Sequence, residues 1–181
     1  MSKKGFTLAE VMITMGIIGV VAALTIPSLS TAYQKRVMTT QLQKAYAELS
    51  QAGAMALADE HGDNFRNSQI LRNGDFIRRY VNKSGSHSFA SSYETDLDDN
   101  ESFSHMMDYC SDCSCGKTKA GASVCVGSNG DGYLDINGTK GPNKEGVDLF
   151  MIGFGRDGAI GDYDHYLRKI IRADWDIDVA R

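Results

Sequence analysis

The chain has 181 residues, with 19 Lys and Arg against 23 Asp and Glu, a formal net charge of −4 and a pI near 5.5. That balance argues against a nucleic-acid-binding surface, which carries clustered Lys and Arg, so no nucleic-acid partner is expected. Residues 28–181, beyond an apolar amino-terminal run, suffice for one modest domain with a real core and not for two.

The first 27 residues read MSKKGFTLAEVMITMGIIGVVAALTIP. From Phe6 to Pro27 only Thr7, Glu10, Thr14 and Thr25 interrupt the apolar character. As a helix the stretch crosses about 30 Å of hydrocarbon, and each threonine hydroxyl can bond back to its own helix. A charged side chain at bilayer depth is costly, so Glu10 requires a partner or a purpose. A cleaved secretory signal has a shorter apolar core followed by a small-x-small site. Here the obvious processing point precedes the run, and cutting there leaves the anchor on the mature protein. A plain unprocessed anchor explains the run but neither the Gly5-Phe6 junction nor the acid.

These residues resemble the processing signal of the type IV prepilin and pseudopilin family: a short basic leader ending in Gly, then Phe, with Glu fifth after the cut. Lys3, Lys4, Gly5, Phe6 and Glu10 occupy those places. The resemblance implies that an inner-membrane prepilin peptidase cuts between Gly5 and Phe6 and methylates the new Phe6 amine. It implies a single-pass protein of the bacterial inner membrane, with its soluble domain exported to the periplasm or cell exterior. It also implies a homopolymer with other pilin-like subunits, raised by an inner-membrane assembly platform and driven by an ATPase elsewhere. Glu10 is then expected to be neutralised by the Phe6 amine of a neighbouring subunit. Gly16, Gly19, Ala22 and Ala23 let helices approach closely, or are incidental in a membrane helix. Pro27 removes an amide donor and predicts a kink. In the family, a proline at this distance marks where the helix stretches in the fibre.

Residues 1–5 are thus read as leader, 6–27 as membrane and filament-core helix, and 28–62 as an amphipathic continuation. Tyr33, Val37, Leu42, Ala45, Tyr46, Leu49, Ala52, Met55 and Ala56 recur at steps of three to five. The helix is predicted to end near Asp59, with a glycine at His61-Gly62-Asp63 supplying a left-handed cap. A coiled coil lacks enough heptads. The segment 63–121 is a variable region: a short helix over 64–82, weakened by Gly74, then a polar acidic loop over 83–121 with a helical turn near 101–109. Arg72, Arg78 and Arg79 read as a solvated face before an anion site. In the family, the part between helix and sheet varies most and faces outward.

Cys110, Cys113, Cys115 and Cys125 crowd into one stretch. In an exported domain they favour disulfides, with three possible connectivities. Cys110-x-x-Cys113 also has zinc-ligand spacing, which the Cys113-x-Cys115 step weakens, and free thiols are the third option. A redox site lacks its partner fold.

Residues 122–181 carry predicted antiparallel strands at 122–126, 133–136 and 147–152, and an edge strand or ordered tail at 170–175. A sheet packed on the helix gives an α+β, pilin-like fold. The loop SNGDGYLDINGTKGPNKEGVD holds Asn129, Asp131, Asp135, Asn137, Asn143 and Asp148. An EF-hand comparison fails there, since Tyr133 breaks the ligand register and Lys144 stands where the closing Glu belongs, and ordinary turn chemistry is expected. The segment DLFMIGFGRDGAIGD resembles the end of the major pseudopilin of type II secretion systems, where calcium is held by carboxylates and a backbone carbonyl. Carried over, Asp157 is the acid of the Asp-Gly pair and Phe154 offers the carbonyl. Asp164 and His165 stand where the family has two adjacent acids, with Asp162 as a substitute. The alternative is a plain Asp-Gly hairpin.

No catalytic constellation is visible, and the four His are scattered through polar sequence. The resulting expectation is a filament subunit, of the major pseudopilin kind, and not an enzyme. The alternatives are a type IV pilus or DNA-uptake pilin and, in another class, a membrane-anchored binding module or enzyme. Failure to polymerise, or a deep pocket with perturbed acids, would mark the last.

Overall fold

In a computed structural model of the chain, residues 5–81, 113–138, 140, 143, 145–161 and 165–180 are described. A long helix, α1 (Leu8–Asp59), precedes a small four-stranded antiparallel sheet: an α+β, pilin-like layout. The chain divides into two compact units, Met1–Val37 and Met38–Arg181, and α1 runs through the division.

In the first unit almost every described side chain of α1 is exposed, as an apolar helix without a protein partner must be. Thr14 Oγ1 donates to the Val11 carbonyl at 3.0 Å and Thr25 Oγ1 to that of Val21 at 2.9 Å, so these hydroxyls are satisfied inside the helix. The helix is continuous through Pro27, whose carbonyl accepts from Thr31 Oγ1 at 3.1 Å.

In the second unit the amphipathic half of α1 makes one side of the core. Leu42, Ala45, Leu49, Ala52 and Ala56 are buried at helical spacing, in one cluster with Val124, Leu134, Phe150 and Ile152 of the sheet. Alanines on this stripe let backbone approach backbone, and Gly53 takes that furthest: a Cβ there would fall on the Gly158 carbonyl. The left-handed cap sits one residue earlier than the glycine expectation. His61 has φ 51° and Gly62 N–H reaches the Leu57 carbonyl at 3.2 Å. His61 Nδ1 lies 2.8 Å from the Ala58 carbonyl, a local contact that lets a non-glycine hold that conformation.

The expected helix over 64–82 is broken into a 3₁₀ turn (Phe65–Asn67), α2 (Gln69–Arg72) and a π turn (Ile77–Val81), with Gly74 at φ 68° between the last two. Glu60 holds the start of α2, its carboxylate accepting from the amides of Gln69 at 2.9 Å and Ile70 at 2.7 Å. Phe65, Phe76 and Phe154 pack ring on ring, with centroids 5.0 to 5.2 Å apart.

The sheet is a meander in the order β1 (Ser114–Lys117), β2 (Ser123–Val126), β3 (Asp131–Asp135), β4 (Leu149–Gly153). Its last three strands fall on the expected runs. β1 corrects the reading of 83–121 as loop throughout. SCGK has no apolar alternation to reveal it, and it is placed by its ladder to β2, in which Cys115 faces Cys125. The helical turn expected near 101–109 lies outside the described residues. Where an edge strand or ordered tail is expected at 170–175, the chain instead ends a helix, α3 (His165–Arg172), and turns over 173–175. Leu167 and Ile170, three apart, bury one face of it. Trp175 N–H closes on the Ile170 carbonyl at 2.8 Å, and the Trp175 ring meets Tyr46 edge-on at 5.4 Å.

Candidate functional site

Gly5 and Phe6 lie outside regular secondary structure ahead of α1, and Phe6 is 90 % exposed. The helix begins with a reciprocal cap. Thr7 N–H and Thr7 Oγ1 both donate to Glu10 Oε2 at 2.8 Å, and Glu10 N–H returns to Thr7 Oγ1 at 3.3 Å. This is a capping box, in which a Thr at the cap and a Glu three residues on satisfy each other's orphan groups. The sequence reading missed Thr7. Its signal was the Thr-x-x-Glu spacing directly before an apolar run. The acid therefore sits at the positive end of the helix with its carboxylate beside the Gly5-Phe6 junction. Beyond it, α1 is long and apolar enough to cross a membrane, and none of its most apolar stretch is buried in the protein.

Cys115 and Cys125, opposite each other on β1 and β2, form a disulfide that closes a ten-residue separation. Cys113 is also disulfide-bonded, and no described cysteine is free. Cys110 lies outside the described residues.

Of the residues considered for calcium in the last loop, Asp157 is exposed and Oδ1 accepts from Ala159 N–H at 3.1 Å. With Gly158 at φ 79° and Gly155 N–H bonded to the Ala159 carbonyl at 2.7 Å, the Asp157-Gly158 pair forms a tight turn. The Phe154 side chain is in the core and its N–H goes to the Gly130 carbonyl at 2.9 Å. Asp162 and Asp164 lie outside the described residues. Among the described residues no three His, Cys, Asp or Glu are grouped to hold a metal.

The basic patch is partly tied down. Arg78 pairs with Asp75 at 2.6 Å, and Tyr80 OH donates to Asp59 Oδ2 at 2.7 Å. That hydrogen bond holds the Tyr80 hydroxyl above its ordinary value.

Two buried polar clusters flank β3. At its start, Asp131 bonds Arg66 Nη2 at 2.6 Å and Asn129 Nδ2 at 3.0 Å. Burial pushes the Asp131 carboxyl up, although the Arg66 guanidinium pulls it down. At its end, Asp135 and Asp148 are wholly buried. Asp135 Oδ1 accepts from Asn137 N–H at 3.0 Å, and Asp148 Oδ2 accepts at 3.0 Å from both Asn137 Nδ2 and Asn143 N–H.

Residues 1–26 match the prokaryotic N-terminal methylation motif, the class III signal peptide of type IV pilins and pseudopilins. No curated protein and no solved structure matches the chain. The motif, ahead of this helix, supports a pilin-like or pseudopilin subunit and suits a membrane-anchored protein. It implies processing by prepilin peptidase and assembly with pilin-like subunits.

Proposed function

We propose that the chain is a structural subunit of a type IV pilus-like filament, of the major pseudopilin kind found in type II secretion systems. The peptidase cuts after Gly5 and methylates Phe6, and the subunit leaves the membrane for a fibre whose core is made of its apolar helices. The observation that carries this is the Gly5-Phe6 junction with Glu10 anchored beside it at the head of an exposed apolar helix. The carboxylate already accepts two hydrogen bonds from Thr7, and the methylated amine of an adjoining Phe6 supplies the cation that lets it enter the fibre core. Calcium in the Asp157 loop belongs to the same reading, as a staple of the sheet's last turn.

The disulfide-stapled sheet edge departs from the major pseudopilin pattern. It favours a second reading, a type IV pilus or DNA-uptake pilin, in which the sheet faces the exterior. Deleting this gene in its host and scoring secretion against surface pili separates the two. Loss of a secreted enzyme with pili intact supports the pseudopilin, and the reverse result overturns it.

A further inference from the structure

We propose that the β3–β4 connection is a divalent-cation site suited to calcium, built on Asp135, Asn137, Asn143 and Asp148. Hydrogen bonds link Asp135 to Asn137, and Asn137 and Asn143 to Asp148, so the four lie together at one end of the sheet. Asn143 points to a missing ligand. It is 0 % exposed, yet neither its Oδ1 nor its Nδ2 has a hydrogen-bond partner among the described residues. Its backbone N–H donates to Asp148 Oδ2 at 3.0 Å, which sets the residue beside the buried carboxylate.

Polar side-chain atoms of this kind are costly to bury unanswered, and native structures rarely leave them so. Its φ of 50° suits Asn, which enters the left-handed region more readily than most residues, but glycine would meet that φ without an amide to bury. A second buried oxygen without a partner among the described residues is the hydroxyl of Ser123, which faces Asp135 in the β2–β3 ladder. A Cβ on Gly138 would come within 3.7 Å of that hydroxyl, which places it against the connection. Carboxylate, amide and hydroxyl oxygens with no thiolate or imidazole select a hard cation, and an irregular loop suits the variable geometry of calcium better than the strict octahedron of magnesium. The set is separate from the Asp157 turn, and the inference does not rest on filament assembly.

The test uses the full-length protein in detergent micelles, with CaCl2 or EDTA, and reads Tm. At about a hundredfold excess over Kd, calcium should raise Tm by about 5–10 °C in Asp157→Asn, a background in which the Asp157 turn cannot contribute. Asn143→Gly keeps the backbone conformation and deletes the ligand oxygen. Added to Asp157→Asn, it should leave Tm in EDTA unchanged and remove most of the calcium response. Several outcomes overturn the site: no calcium response in the wild type, a response abolished by Asp157→Asn alone, or an undiminished response when Asn143→Gly is added to it. Collapse of Asn143→Gly in EDTA also does, since it would mean the amide has a structural role within the protein. A rise with MgCl2 as large as with CaCl2 overturns calcium as the ion.

Discussion

Glu10 closes the Thr7 capping box through its carboxylate, and in the proposed filament its charge would neutralise the Phe6 amine of another subunit, two roles that substitution can separate. Glutamine at this position of a capping box still accepts from the cap residue but carries no charge. Glu10→Gln should therefore insert and fold with normal helix content while failing to form filaments. Thr7→Ala should fray the first turn and assemble at a reduced level. Normal filaments from Glu10→Gln, seen by electron microscopy, would leave the cap as the only role of the acid. Asp131 is the other residue whose environment decides its behaviour. Its raised carboxyl means that folding takes up a proton there. Its contribution is fully present below the unfolded value of about 3.9 and is lost as pH rises through the higher folded value. Asp131→Asn should flatten the part of the stability profile in which stability falls as pH rises above the unfolded value. Arg66→Ala leaves the carboxylate without its guanidinium and should cost about 1–3 kcal/mol at pH 7, read as a lower urea midpoint.

At the level of elements, α1 and three of the four strands were legible because their apolar residues recur at helical or alternating spacing. β1 was not, because Ser114–Lys117 has no apolar alternation and is placed by pairing with β2. α3 was misread as strand or tail because its decisive pair, Leu167 and Ile170, straddles the start of the stretch considered. Cysteine pairing was beyond spacing alone, since nothing local said that Cys115 would face Cys125. The contribution of that cross-link is measurable. Replacing both Cys115 and Cys125 by Ser should cost about 2–3 kcal/mol in the chain-entropy account, with a lower urea midpoint that reductant no longer shifts by that amount. Gly53 tests packing against propensity. Alanine is the better helix former by about 1 kcal/mol, yet its methyl would meet the Gly158 carbonyl. Gly53→Ala should still destabilise by about 1–3 kcal/mol, because two backbones must separate to admit it.

At the level of the whole molecule, the two units were legible to different degrees. The first 26 residues carry the prokaryotic N-terminal methylation motif, which packs a cleavage junction, an acid and an apolar run into one short stretch. The globular part matched no curated protein and no solved structure, so what could be read from it was physical: a stripe, alternating strands and turns. Thr7 lay within the best-read segment and was still overlooked, because attention to the charge of Glu10 hid its hydrogen-bonding role. Phe6, Leu8, Met12, Ile13, Met15 and the apolar residues after them are exposed, and bilayer or like helices must cover them. In the proposed fibre the charged leader would have to be removed before this helix packed among its copies. The most direct measurement is the amino-terminal mass spectrum of the protein recovered from its own cells. The expected result is a chain beginning at Phe6 with one added methyl group on its amine. A chain still carrying Lys3, Lys4 and Gly5 would contradict the filament reading.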